Sequence, residues 1–478
     1  MKTMRNLFMV LLMAVLCVAC SQTDSYVNVI PKDVAVVASV DLQSLGEKAS
    51  LKDYKGFIDM ALLKVQKSDE ALYEQLKEIV DDPLSLGLAL NEPLYVFSLE
   101  GGQSGAAVMK VDDGDKVKQL VQQVLTQEGF EYQEEGDRLW ISGPVAIVVT
   151  DELLLVGENR VAMEKLLEQT AGESFASTDR WDELETVAGD VKLFVAQGQL
   201  EQFKELMNQA EIAELYKALG IDVQEATQVL GLDFQPGRAV VTGKVKVSEE
   251  YGKMQEDLLD KLDGSFLKKM PANPVVWMAF NMNGEALCGL MERVLEAMPD
   301  AARNVKMEDL KPLLENIDGE LAFAMNGISQ GGKSGVPDLT VFAKVKDNSW
   351  EQELKKLGDA PGIAFGMAED DVFYLTTNSE VMNEPGKDLD NSVADAAWAD
   401  KADGSYCCLV VEAEPMKDLA KMFLNRREMR QAEIVLEKLE SAELEAVSLT
   451  ESKATIHFDN KEDNALKQLI QLVVSMNM

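Results

Sequence analysis

The strongest constraint on this chain is that its sequence is written twice. Ile30-Pro31-Lys32-Asp33-Val34-Ala35-Val36-Val37-Ala38-Ser39-Val40-Asp41-Leu42 aligns without a gap to Met270-Pro271-Ala272-Asn273-Pro274-Val275-Val276-Trp277-Met278-Ala279-Phe280-Asn281-Met282. Both read as a Pro-led turn, a buried strand, and an Asp/Asn exit into a helix. Further matches follow in the same order. Leu94-Tyr95-Val96-Phe97-Ser98 corresponds to Leu321-Ala322-Phe323-Ala324-Met325, and Ala107 to Asp113 corresponds to Val341 to Asp347. Asp179-Arg180-Trp181 and Gly189 correspond to Ala396-Ala397-Trp398 and Gly404, and Val241 to Val247 corresponds to Ala454 to Phe458. A sequence repeat implies one supersecondary unit used again.

Each half clusters its strands in hairpins instead of alternating them strictly with helices. That pattern points to an α+β fold, two tandem copies of one unit with antiparallel sheets and long helices. The boundary falls near Gly264-Ser265, after an amphipathic helix from Glu249 to Leu262, so the copies span 27–265 and 266–478. Long helices are expected over Leu200 to Leu219, Glu414 to Leu439 and Met429 to Glu445, as solvated packing helices.

The N-terminus carries an address. Lys2 and Arg5 precede an apolar stretch from Leu7 to Ala19, too short for a bilayer span but suited to a signal-peptide core. Residues 1–19 therefore read as a signal and 20–26 as a polar tether. Leu16-Cys17-Val18-Ala19-Cys20 resembles the lipobox of bacterial lipoproteins, which implies lipidation at Cys20. Cys17 stands where that pattern has Leu. No basic residue follows Cys20 closely, so anchoring would rest on acyl chains.

Charge narrows the function classes. The chain has 46 Lys+Arg against 83 Asp+Glu, a net charge of −37, which argues against nucleic acid and anionic membrane surfaces and favours a neutral or basic partner. Loss of Lys2 and Arg5 makes the mature chain more acidic still. The acidity reads as a solvated surface. Asp112-Asp113-Gly114-Asp115 is a turn and helix cap, and Asp388, Asp390, Asp395, Asp400 and Asp403 lack the spacing of an EF-hand.

The apparent chemical motifs each meet an obstacle. Gly327-Ile328-Ser329-Gln330-Gly331-Gly332-Lys333-Ser334 matches a P-loop, but Gly335, Val336 and Pro337 follow where a helix is required. The first copy has Gln103 in place of Lys333, so both loops read as hairpin connections. Ser265-Phe266-Leu267-Lys268 spells S-x-x-K without its companion motifs. His457, the single histidine, is expected to point outward, with Ile456 and Phe458 inward. Cys288, Cys407 and Cys408 read as free, buried thiols, the alternative being one disulfide from Cys288 to Cys407 or Cys408, and no cofactor is implied. A carboxylate pair is conceivable among so many acids, but five Trp and nine Tyr make a poor sugar-stacking surface.

The Cys20 lipobox, the opening Val29 to Val37 and the second copy at Met270-Pro271-Ala272-Asn273 resemble an uncharacterised family of Bacteroidetes-type lipoproteins carrying a domain of unknown function. The resemblance implies an outer-membrane lipoprotein in the cell envelope and a shared fold, with no catalytic residue to transfer. The sequence reading is thus a lipid-anchored envelope protein, a non-enzymatic binding or scaffolding module. The alternative is a carboxylate-based, Ca²⁺-assisted hydrolase. A third reading, a chaperone or inhibitor, would require a sizeable exposed apolar surface.

Overall fold

The computed structural model describes residues 25–54, 63, 66, 70–81, 83–127, 131–143, 145–299, 306–329, 336–357 and 362–476. Two compact units emerge. The smaller takes the chain up to Val34 and again from Ala61 to Glu183; the larger takes Ala35–Met60 and Leu184–Met478. These packing units divide the chain at different places from the copies 27–265 and 266–478 expected from the sequence. Strand β1 (Val36–Val40) opens the larger unit and alternates half-buried and buried residues.

The smaller unit holds β2 (Leu94–Leu99), β3 (Ser104–Lys110), β4 (Glu131–Glu135), β5 (Arg138–Ser142), β6 (Ala146–Val149) and β7 (Leu153–Gly157). They form an antiparallel sheet in the order β2–β3–β7–β6–β5–β4. Gly136 at φ +65° makes the tight β4–β5 turn, which glycine adopts without strain. Strand β4 is exposed throughout and rich in Glu, a charged edge that discourages pairing with other chains. Arg160 secures it, donating to Gln133 and Glu135 while its guanidinium lies 4.6 Å from the Trp140 ring. Leu139, Ile141 and Val149 pack beneath the Gly114–Gln127 helix through Val117 and Val121. Tyr26, Tyr95, Trp181 and Phe175 form a second aromatic cluster.

The larger unit adds β8 (Val191–Ala196), β9 (Thr227–Gln235), β10 (Arg238–Lys246), β11 (Leu259–Asp260), β12 (Val276–Asn283), β13 (Ile317–Ser329) and β14 (Val336–Val345). Then come β15 (Ala364–Glu369), β16 (Val372–Thr376), β17 (Cys407–Glu412), β18 (Leu439–Ala446) and β19 (Glu451–Phe458). The order is β1–β8–β9–β10–β19–β18–β17–β12–β13–β14–β16–β15, antiparallel at every step. The chain is therefore mixed α and β around a large antiparallel sheet, which agrees with the α+β expectation.

One face of β12, β13, β14 and β17 carries the main core. Trp277 sits 4.9 Å from Trp398, and Phe266 stacks on Phe342 at 5.4 Å. Toward the other end, Asp190 pins the Leu42–Lys48 helix to β8 and β9. Its carboxylate, 3% exposed, accepts from Lys48 at 2.7 Å, from Ser44 at 2.5 Å and from the Phe234 amide at 2.8 Å. Every lone pair that burial took from water finds a protein donor.

Local details differ from the sequence reading. The Leu200 to Leu219 helix is two helices, Glu201–Met207 and Ala210–Ala218. Glu414 to Leu439 also breaks, into Ala413–Phe423 and Arg426–Leu436. There Asn425 caps the second helix, accepting from the Arg427 and Glu428 amides, while Glu428 answers the Asn425 amide. The Met429 to Glu445 helix is formed only as far as Leu436, because 439–446 is β18 between β17 and β19. Alternating Glu, Ala and Leu are good helix formers, but pairing on both sides outweighs that propensity. The Glu249 to Leu262 helix stops at Leu258 and gives way to β11. In the second opening motif Asn281 is still strand, and Asn283 is the helix cap.

No helix among the described residues is long and apolar enough to cross a membrane. Residues 1–24, with the lipobox and Cys20, lie outside the described residues.

Candidate functional site

The least ordinary chemistry in the larger unit is a pair of carboxyl groups. Glu320 follows Asp318 and Gly319 in β13, and shares a face with Ala322 and Ala324 of the core. It is 1% exposed. Asp263 reaches it from the segment that leads out of β11, its own amide donating to Glu320 Oε2 at 3.2 Å. Lys344 of β14 donates to Asp263 Oδ2 at 2.6 Å, and the Ser265 amide to Oδ1 at 3.0 Å.

The two acids diverge in character. Burial, reinforced by the hydrogen bond to Asp263, pushes Glu320 up to about 7. Burial also acts on Asp263, but hydrogen bonds from Glu320, Lys344 and Ser265 outweigh it and hold that carboxyl well below its usual range. Below about pH 7 one acid keeps its proton while the other stays ionised. Such a division can serve acid–base chemistry. Here, however, the carboxyls bond to each other and Glu320 is sealed from solvent, whereas glycoside hydrolysis needs them roughly 5–10 Å apart astride a substrate. The arrangement does the work of a latch, tying the segment after β11 to two strands.

A cleft of about 420 Å³ lies nearby, lined by Glu256, Asp257, Asp260, Asn281, Asp318 and Tyr406 among others. Neither Glu320 nor Asp263 lines it. Among the described residues no group of three or more His, Cys, Asp or Glu side chains gathers around a metal-sized site.

His457 is the clearest departure from the sequence reading. Its side chain is only 16% exposed, and Nε2 lies 3.0 Å from Glu443 Oε1, while Lys401 holds the other oxygen of that carboxylate. Burial raises the Glu443 carboxyl, but the bonds from His457 and Lys401 outweigh it and lower it. Ile456, expected inside, is 42% exposed. The error lay in assuming one buried face: Thr455 and His457 look toward the core side, so alternation alone could not say which face was which. Ser441 stands directly across from His457, yet no hydrogen bond joins them among the described residues, so no nucleophile–base pair is assembled.

The other flagged residues fall into structural roles. Ser265 donates to Asp263 within a tight turn, and Phe266 between it and Lys268 is core. Gly327 and Ser329 end β13, Val336 begins β14, and the rest of that loop lies outside the described residues. Asp113 accepts from the Lys116 amide at the start of a helix, and Asp395 caps a short turn with Ser392. Asp388, Asp390, Asp395, Asp400 and Asp403 are all exposed. Cys288, Cys407 and Cys408 are free thiols; Cys407 is only half-buried, and burial pushes Cys408 up to about 12. None has the lowered value of a reactive thiolate.

A non-chemical feature escaped sequence reading. On the opposite face of β10, β19 and β18, the Ala465–Met476 helix covers Phe234, Ala239 and Phe458. Beyond it the same face stays open. Val241 and Leu444 flank Ala454 across the two ladders, with Ile456 beside them, at 36%, 43% and 42% exposure. Contiguous apolar surface of this kind on a sheet marks an interaction site more often than an accident.

Comparison with solved structures returns only weak overlaps. Crystal form IV of TP0453 is 10% identical, covering 50% of this chain and 87% of that one at a TM-score of 0.28. Crystal form III gives 10% identity, 49% and 87% coverage and a TM-score of 0.27. Comparison with curated proteins finds no match. The family model for a domain of unknown function, DUF4836, matches residues 26–368 and 356–466. With most of its length matched, the chain belongs to the DUF4836 family.

Proposed function

We propose that this chain is a lipid-anchored protein of the cell envelope that works as a non-enzymatic binding or scaffolding module, built from two tandem copies of one unit. The open apolar face formed by Val241, Leu444 and Ile456 carries the binding reading. Its neutral surface suits a neutral or basic protein partner, because the acidic remainder of the chain repels acidic ones.

The pairing order supports the duplication. β8–β9–β10 and β17–β18–β19 run in the same sequence, as do β2–β3–β7–β6 and β13–β14–β16–β15. The opening prolines behave alike. Pro31 bridges Ser174 and Pro271 bridges Ser392, and the next amides, of Phe175 and Val393, donate to Ile30 and Met270 at 2.7 and 3.0 Å.

Two experiments test this reading. Replacing Cys20 with Ala is expected to abolish incorporation of labelled palmitate and to move the protein from the detergent phase to the aqueous phase; unchanged labelling rejects lipidation at Cys20. A photo-crosslinker at Ile456 should capture an envelope protein in cells, and Leu444→Glu should reduce that adduct by about tenfold. Equal adduct yield in both proteins would remove this face from the binding surface.

A further inference from the structure

We propose that the helical corner Met422-Phe423-Leu424 is a second membrane-contact element, which docks on an anionic lipid surface independently of any acyl anchor at Cys20. These three consecutive side chains are 57%, 71% and 37% exposed. They stand where the Ala413–Phe423 helix ends and the Arg426–Leu436 helix begins. Packing does not account for them.

Their flanks are cationic in a chain that is otherwise strongly acidic. From Ala413 to Leu436 the two helices and their corner carry five cations (Lys417, Lys421, Arg426, Arg427 and Arg430) against four acids (Glu414, Asp418, Glu428 and Glu433), whereas the whole chain carries −37. Lys421 bonds Asp418 and Lys417 bonds Glu414. The three arginines are exposed and have no ion-pair partner among the described residues. Glu428 directs a carboxylate oxygen to the Asn425 amide at 3.0 Å as part of the cap.

Helix stability does not explain the arginines either. Arg426 and Arg427 occupy the first turn of a helix, where the macrodipole disfavours cations. A bare apolar tip followed in the chain by exposed guanidinium groups is the complement of a lipid interface. Apolar side chains enter the acyl boundary while guanidinium groups take headgroup phosphates in bidentate pairs. The Asn425 cap holds the corner in shape, so little order has to be gained on docking. Because the rest of the chain repels anionic lipid, contact is confined to this corner and weakens steeply with salt.

Vesicle flotation tests the proposal on a chain beginning at Ser21, which keeps every described residue and has no acyl chain. At low ionic strength it should float with phosphatidylglycerol-containing vesicles and not with pure phosphatidylcholine vesicles. Replacing Met422, Phe423 and Leu424 with Ser should weaken binding by about tenfold or more. Replacing Arg426, Arg427 and Arg430 with Gln should weaken it on the order of a hundredfold. Unfolding curves that match the unchanged chain show that both variants keep their fold. No binding by the unchanged chain, equal binding to both vesicle types, or undiminished binding by either variant overturns the proposal. Self-association that Phe423→Ser abolishes, in place of lipid binding, assigns the corner to a second copy and also overturns it.

Discussion

Replacing Trp277 with Ala should destabilise the larger unit by about 4 kcal/mol. The indole is 1% exposed, and its strand neighbours on the two sides are Ala324 and Val410. Those small partners leave the space that the ring fills. Its Nε1 donates to Met270 Sδ at 3.2 Å, which joins the Pro-led turn to the strand it precedes. Truncation removes the tilted contact with Trp398, opens a cavity and releases that turn together. Trp277→Phe keeps most of the volume and should lose about 1–2 kcal/mol. Urea unfolding followed by near-ultraviolet circular dichroism measures both. A loss below about 1 kcal/mol for the alanine variant would show that the ring is not the keystone of this core.

The second large effect concerns pH. Glu320 is held near pH 7 in the folded chain, against 4.5 as its ordinary value. The folded state therefore binds this proton more tightly than the unfolded state does. Stability from Glu320 is complete below about pH 4.5 and is lost as pH rises through about 7, a span worth ~3 kcal/mol. Asp263 runs the other way. Its lowered carboxyl contributes above its ordinary value of 3.8 and loses that contribution only as pH falls further, so the two windows do not overlap.

Glu320→Gln separates them. The amide still donates to Asp263 but has no proton to lose. Subtracting its unfolding free energies from those of the unchanged chain, at a series of pH values, should give a curve that falls between pH about 4.5 and 7 and is flat on either side. Above pH 8 or so the variant should be the more stable protein. A flat difference across that window would mean that Glu320 is ionised when folded, and the latch would then need another description.

Neither acid was visible as a pair in the sequence. Glu320 stands in Gly319-Glu320-Leu321-Ala322-Phe323-Ala324, where the bulky Leu321 and Phe323 mark one face as the inner one. In the fold both faces are covered: Leu321 packs against Ala343 and Phe373, while Ala322, Ala324 and Glu320 meet the Trp277 core. With two buried faces, alternation loses its meaning as an inside–outside signal. The same cause misplaced His457. The break between Phe423 and Arg426 had a legible signal in Asn425 and Glu428, a capping box inside a run of good helix formers.

What the sequence determined by itself was local and periodic. Pro31 and Pro271 with their following strands and the cap at Asp113 arise from residues near one another in the chain. Turn chemistry and strand alternation encode such features directly. Only the tertiary structure decided which side of β13 holds a neutral acid, which side of β19 holds the imidazole, and that Phe423 is left in solvent. Those outcomes depend on which elements cover a given face. Desolvation, which sets both the protonation of Glu320 and the exposure of an apolar corner, comes from atoms distant in sequence.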